Sequence, residues 1–391
     1  MKANSARVVV ALSGGVDSSV AAALLSKEGY QVIGVTMQLD PWDKQVFETD
    51  NHGRCCQHEA VEDAKRVAYK LGILHYVMNF KNIFNQKVIA DFCREYSLGK
   101  TPNPCIRCNQ YIKFDALLKR AKEFDANFVA TGHHARIEQN EASARYLLKK
   151  GADQRKDQSY FLYTLTQEQL GHILLPVGTV TKEQVREIAR KLEIPVAAKP
   201  ESQELCFIPD ADYPKFIREF IPQAVKPGPI VDKQGNIIGE HQGIIFYTIG
   251  QRKGLGIAAQ KPLYITTIVH EHNAIVVGDK EEVYGTELIA SGLNWISLTE
   301  LKEPLTAKAK IRYQHNEAEA EITPVDTDKA SVRFKEPQMA IAPGQAVVFY
   351  NGDTVIGGGT IEAGKKQDTS RVILAHKQMN VEAAECPSYP N

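Results

Sequence analysis

The chain has 391 residues, in which 47 lysines and arginines balance 47 aspartates and glutamates. That length predicts two or three domains, and the cancelled charge excludes a global field drawing the protein to polyanions, so any nucleic acid must be held by local basic patches and by shape. No apolar run approaches a membrane span and Met1 to Arg7 lacks the apolar core of a signal peptide, so a cytoplasmic protein with no membrane partner is expected; there, seven cysteines argue against a disulfide framework.

The first predicted strand is the apolar run Val8 to Leu12, and a helical pattern covers Ser19 to Leu25. Between them lies Ser13-Gly14-Gly15-Val16-Asp17-Ser18. A strand that turns through two glycines into a helix aims backbone N–H groups and a positive dipole end at one point, which is a phosphate site. No Gly-Lys-Ser/Thr is present, so the Walker type is excluded. The turn resembles the pyrophosphatase loop of enzymes that split ATP between the α and β phosphates and adenylate a substrate. In that class the loop holds the departing pyrophosphate, which explains the missing lysine.

Further along, Gln31 to Met37 reads as a strand, Ala60 to Leu71 as an amphipathic helix closed by Gly72, and Ile73 to Met78 as a third strand. Helical stretches come next over 83–97 and 110–123, then a strand over 127–133. Strands alternating with helices predict an α/β fold with a doubly wound parallel sheet, whose ligands lie outside the carboxyl ends of the strands. Ala11, Leu12, Ser13, Gly14, Gly15, Val16, Asp17, Ser18, Met37 and Gly132 are therefore the candidate nucleotide-binding residues. Beyond about residue 205 prolines and glycines thicken, as in Lys226-Pro227-Gly228-Pro229, and short alternating runs replace helices. The segments 263–269, 274–278, 307–313, 318–322, 330–334 and 345–350 read as strands, and those from 287 onward as a small β-barrel. The expected domains are 1–205, a small central α+β unit over 206–284, the barrel over 287–376, and a tail over 377–391.

Cys105-Ile106-Arg107-Cys108 comes after the turn-forming Thr101-Pro102-Asn103-Pro104 and precedes a helix expected from Asn109. Cysteines at a helix N-terminus beside Arg107 should have depressed pKa values, and such a pair either binds metal or does sulfur chemistry. Cys206 lies at the seam between the first domain and the central unit. Cys93 falls in an apolar helical pattern and reads as core, Cys55-Cys56 with His58 as a helix start rather than a metal site, and Cys386 as a free thiol in the tail.

Six segments in order resemble the tRNA-specific 2-thiouridylase family: Ala11 to Val20; Thr101 to Pro104 with Cys108-Asn109; Ala130 to His133; Lys156 to Phe161; Cys206 to Ile208; and Tyr247 to Gly256. The resemblance covers nearly the whole chain. It implies an adenylating domain, a central domain and a C-terminal barrel. It also implies a reaction in which ATP, with Mg2+, adenylates the C2 oxygen of a tRNA wobble uridine before sulfur replaces that oxygen, releasing AMP and pyrophosphate. Chemically, AMP is a good leaving group where a carbonyl oxygen is a poor one. By the same resemblance Cys206 carries the persulfide and Cys108 is the second catalytic cysteine, the two forming a transient disulfide.

The resemblance further assigns the target base and tRNA to Asn103, Pro104, Cys105, His133, Lys156, Asp157, Gln158, Arg312, Tyr313 and Gln345. The partners it implies are glutamate, glutamine and lysine tRNAs and a persulfide-donating protein, with the chain itself a monomer. Gln251-Arg252-Lys253-Gly254 has the form of a basic loop over the anticodon arm. One departure stands out: many members carry Asp where this chain has Cys105, which puts a general-base role there in doubt. Three thiols, Cys105, Cys108 and Cys206, also match what a 4Fe-4S cluster with one open iron position requires. Three rivals stay open: a synthetase that adenylates a carboxylate and adds ammonia, a tRNA-binding or iron–sulfur module without catalysis, and a thiol sensor that needs no ATP.

Overall fold

The computed structural model describes residues 6–39, 55–200, 205–208 and 212–364. In chain order the first part runs β1 (Arg7–Ala11), α1 (Val16–Lys27), β2 (Gln31–Gln38), α2 (Cys55–Leu71), β3 (Leu74–Asn79), α3 (Lys81–Phe84), α4 (Ala90–Ser97), α5 (Pro104–Arg107) and α6 (Leu117–Ala121). It continues through β4 (Phe128–Ala130), β5 (Ala135–Gln139), β6 (Tyr146–Lys150), α7 (Gln167–Leu170), β7 (Ile173–Leu174) and α8 (Lys182–Lys191). Five of these strands form a parallel sheet in the order β3-β2-β1-β4-β7, as the alternation of strands and helices predicts. Val8 pairs with Val32 on one side and with Phe128 on the other. The chain thus leaves β1 toward β2 and β3 and returns on its far side at β4, which opens a crevice at their carboxyl ends.

α1 is apolar nearly all round because it is sandwiched. Val20 and Ala23 pack with Val67 of α2 and Val185 and Ala189 of α8, whereas Ala22 and Leu25 pack with Val8 and Val10 of the sheet. Each such valine or leucine contributes about 1.5–3 kcal/mol on burial. This packing also brings the first turn of α8 to the first turn of α1.

The central unit comprises α9 (Tyr213–Phe220) and a sheet of β8 (Gly228–Val231), β9 (Ile237–His241), β10 (Tyr264–Val269) and β11 (Ala274–Gly278), ordered β10-β11-β8-β9. Phe216 and Ile217 of α9 share one buried cluster with Phe84, Phe92, Cys108 and Phe207, which fastens this unit to the side of the first sheet that carries the cysteines.

The last part is β12 (Tyr284–Trp295), β13 (Leu305–Lys310), β14 (Ala318–Pro324), β15 (Lys329–Met339), β16 (Ala346–Asn351) and β17 (Thr354–Gly364). The order β12-β15-β14-β13-β16-β17, with β12 also paired to β17, closes a six-stranded barrel, which removes the exposed sheet edges. Two details differ from the sequence reading. The β5–β6 hairpin lies within the first 205 residues yet extends the barrel sheet: Lys149 pairs with Thr354, and Arg136 Nη2 donates to Asp353 at 2.6 Å. Arg312 and Tyr313, expected on a strand over 307–313, fall in the turn after β13, which ends at Lys310. Among the described residues no helix is long and apolar enough to cross a membrane.

Candidate active site

The loop after β1 is tied to itself and to its neighbours. Ser13 N–H donates to Ser18 Oγ at 3.2 Å, while Ser18 Oγ and Ser19 Oγ donate to the Gly15 carbonyl at 3.1 and 2.8 Å. From β2, Thr36 Oγ1 donates to the Leu12 carbonyl at 2.9 Å, and Met37 stands beside it at the strand end. Gly14 has φ +70°, and a side chain there would collide with the Ala60 carbonyl of α2, so only glycine fits. Gly132, after β4, abuts the helix start: a Cβ would lie 2.5 Å from Ser18 N and 2.8 Å from Asp17 Cβ. Gly132→Ala should therefore push α1 off its position, costing about 1–3 kcal/mol and lowering ATP turnover about a hundredfold. Thermal melting together with AMP formation checks this; unchanged turnover would show the contact to be slack.

Sequence reasoning missed two members of this site. Lys182 Nζ, at the start of α8, donates to both carboxylate oxygens of Asp17 at 2.6 Å, and His134 Nε2 lies 3.2 Å from Asp17 Oδ1. Thr181 and Gln184 cap α8 reciprocally, and Lys182 N–H donates to Asp153 Oδ2 at 3.2 Å, so the lysine is anchored at its root. Burial works against ionisation of Asp17, but hydrogen bonds from His134 and Lys182 together with their charges outweigh it and hold the carboxyl below its ordinary range. His133 is buried, its Nδ1 2.6 Å from Thr131 Oγ1. Burial first, then the charges of Lys113 and His134, push its pKa well down, so it is a neutral imidazole. Asp17 is part-exposed at the mouth of the loop.

The cysteine segment starts its helix earlier than expected, at Pro104 rather than Asn109. Asn103 caps it by accepting Cys105 N–H at 3.2 Å, and proline occupies the first turn, the arrangement both residue types favour. Helix α5 then runs into a π-helical stretch over Cys108–Ala116 before α6. Cys108 is buried, whereas Cys105 and Cys206 are exposed. Cys206 sits in a turn where Ile208 N–H donates to the Leu205 carbonyl at 3.0 Å, and Phe207 packs edge-on against Phe84 and Phe92.

The expectation of depressed thiol pKa values is overturned. Burial pushes Cys108 up to about 12 and Cys105 up to about 11, and raises Cys206 as well. Cys105 and Cys206 keep solvent-accessible surface, yet they lie low enough among surrounding atoms for desolvation to dominate. Arg107 gives no help because it turns to Asp91, at 3.2 Å, and to Gln110. The cation that opposes burial at all three thiols is Lys113. Among the described residues no group of three His, Cys, Asp or Glu side chains that could hold a metal ion is found.

The remaining candidates are largely engaged within the protein. Asp157 accepts from Gly151 N, Ser159 N and Ser159 Oγ, and Gln158 Oε1 accepts His134 N–H at 2.9 Å. Lys156 is half-buried beside them. The Tyr313 ring lies tilted against that of Phe161 at 4.4 Å, and the Phe161 carbonyl accepts from Asn109 Nδ2, which links the barrel to the residue after Cys108. Gln345 Nε2 donates to the Thr101 carbonyl at 2.8 Å and so holds the segment before Pro104 against the barrel. Arg312 is half-buried, whereas Arg252 and Lys253 are exposed. Cys93 is core, as expected. Helix α2 does begin at Cys55, but the side chains of Cys55 and Cys56 lie outside the described residues, as does Cys386.

Three family models match the chain in series: the tRNA methyl transferase HUP domain over residues 6–210, the tRNA methyl transferase PRC-barrel domain over 214–279, and the aminomethyltransferase beta-barrel domain over 285–361. The tRNA-specific 2-thiouridylase MnmA 1 of Thermoanaerobacter sp. (strain X514) is 56% identical over 363 residues, covering 93% of this chain and 99% of that protein. The tRNA-specific 2-thiouridylase MnmA of Acetivibrio thermocellus is 54% identical over 357 residues, covering 91% and 99%. A solved 4-thiouridine synthetase–RNA complex with bound ATP is a remote likeness, 19% identical with a TM-score of 0.33 over 56% of this chain and 51% of that one.

Proposed function

The chain belongs to the tRNA-specific 2-thiouridylase family, and we propose that it adenylates the C2 oxygen of the wobble uridine of a tRNA with ATP and replaces that oxygen by sulfur. Residues 11–18, Met37 and Gly132 line the nucleotide, the loop N–H groups hold the departing pyrophosphate, and Asp17 carries Mg2+. A persulfide-donating protein loads the exposed Cys206. The Cys108 thiolate attacks the inner sulfur of the Cys206 persulfide; the S–S bond to the outer sulfur breaks, a Cys108–Cys206 disulfide forms, and hydrosulfide leaves. Hydrosulfide then attacks C2, AMP departs with the oxygen, and the proton on sulfur is lost to solvent. An external dithiol reduces the disulfide for the next turnover.

The observation that carries this reading is 56% and 54% identity to two tRNA-specific 2-thiouridylases across more than nine-tenths of the chain, on a fold that places the Ser13–Ser18 loop and the helical run of Cys105 and Cys108 in one domain. The division into domains 1–205, 206–284 and 287–376, a monomeric cytoplasmic enzyme, and contacts of His133, Lys156, Arg312 and Tyr313 with glutamate, glutamine and lysine tRNAs complete the proposal. Asn103, Asp157, Gln158 and Gln345 support the tRNA site by fixing its backbone. The test is mass spectrometry of nucleosides from unmodified tRNAs incubated with the protein, ATP, magnesium and sulfide. 2-Thiouridine with matching AMP is expected. Neither product, or a methylated nucleoside formed with S-adenosylmethionine in place of ATP, would overturn the reading.

A further inference from the structure

Lys113 differs from the other cations on its helical run. Arg107 pairs with Asp91, Lys119 with Asp115 and Arg120 with Glu123. Lys113 is half-buried and has no ion-pair or hydrogen-bond partner among the described residues. A cation partly withdrawn from water and left unpaired costs free energy, so a fold that keeps one invites the question of what anion it awaits.

The backbone supplies a geometric answer. From Cys108 to Ala116 the helix is π-helical, and its i→i+5 register sets Lys113 one turn along from Cys108, where an α-helix would place Ile112. The next residue, Phe114, has its ring 5.7 Å from that of His133, so this turn faces the end of β4 and the nucleotide loop. Cys108 in turn shares its buried cluster with Phe207 and Ile208, the neighbours of Cys206. Lys113 therefore lies one turn from Cys108 on the same helical run, within electrostatic range of the thiols and of His133.

The structure assigns Lys113, if the proposed thiolation holds, as the positioning residue that turns Cys108 into the attacking thiolate and steadies the sulfur anion that leaves Cys206. The need for such a group is plain from the surroundings: burial holds the thiols in their protonated form, and only a thiolate attacks a persulfide. The titratable and charged groups around them are Cys105 and Lys113 on the same helical run, Cys206 from the segment 205–208, and His133 with Asp17 and His134 behind it. Of these, His133 is neutral and the other cysteines oppose ionisation. Lys113 is what favours it.

The experiment is the pH dependence of iodoacetamide alkylation of Cys105, Cys108 and Cys206, read by peptide mass spectrometry in the full-length wild-type, Lys113→Met and Lys113→Arg proteins, with melting curves as a folding control. A cation within about 4–6 Å of a thiolate lowers its pKa by about one unit or more. Lys113→Met should raise the apparent pKa by that amount. Alkylation at a fixed pH below the titration should fall about threefold per unit, because the scarcer thiolate is also more nucleophilic. Lys113→Arg should restore most of the rate, and buried Cys93 should not respond. Superimposable pH profiles in wild type and Lys113→Met would overturn the assignment. The readout needs neither ATP nor tRNA, so a wild type that makes no 2-thiouridine while the shift is present would remove the proposed function and leave the electrostatic assignment standing.

Discussion

Cys206→Ala protein will form AMP from ATP with its tRNA substrate but will make no 2-thiouridine from a persulfide donor, a loss of at least about a thousandfold. Free sulfide will restore thiolation. The separation comes from where the residue sits. Cys206 is exposed at a turn anchored by Phe207 and Ile208 in the core, so an outside donor can reach the thiol while its backbone stays fixed. Removing an exposed sulfur costs little stability, so inactivity will not reflect unfolding. Cys108→Ala will show the same loss with the donor and the same rescue by sulfide, because its task is to displace the sulfur that sulfide supplies directly. It will also cost about 1 kcal/mol from the small cavity left at a buried site. Thiolation from the donor in either variant, measured on digested tRNA, would rule out the two-cysteine scheme.

What can be read from the sequence is what is local. The strand–Gly-Gly–helix turn predicts the loop, its glycines and the hydroxyls around it, because the chemistry of close backbone approach is written in consecutive residues. The cysteine motif is legible as a motif, and its electrostatics are not. Proximity to a helix end and to Arg107 suggests thiolates, but Arg107 is drawn away by Asp91 from α4, and burial among residues from distant segments outweighs a helix dipole. The Asn103-Pro104 pair does carry a readable start signal for the helix, masked by the turn-forming prolines around it. Lys182 lies 165 residues from Asp17 and reaches it only because α8 packs on α1. Its one local trace is the Thr181 to Gln184 capping box, which marks a helix start and not a partner. The β5–β6 hairpin joins the barrel for the same reason: pairing across two hundred residues leaves no periodicity to find.

Lys182→Met should abolish AMP formation, by at least about a hundredfold, and destabilise the protein by about 2 to 4 kcal/mol. That cost sits below the one for a fully dry pair because the Asp17 side chain is 31% exposed, although Lys182 is only 9% exposed. Loss of the lysine leaves a carboxylate among buried groups with His134 as its remaining partner. The pH dependence gives the sign of the effect. In the wild type the folded-state pKa of Asp17 is depressed, so the pair contributes stability that is present above the unfolded carboxyl value and is lost as pH falls through the folded one. In Lys182→Met the lysine's hydrogen bond and charge are lost, and the Asp17 pKa rises from its wild-type position. The gap between variant and wild type will therefore be widest near neutral pH and will narrow as the medium is acidified through the carboxylate range. Adding Asp17→Asn to Lys182→Met should recover part of the lost stability, since it removes the stranded charge, while leaving AMP formation abolished. Chemical denaturation of the wild type, both single variants and the double variant at several pH values supplies the cycle. A Lys182→Met penalty that does not change with pH, or a double variant less stable than Lys182→Met alone, would show that Lys182 acts by packing and that Asp17 owes its ionisation to something else.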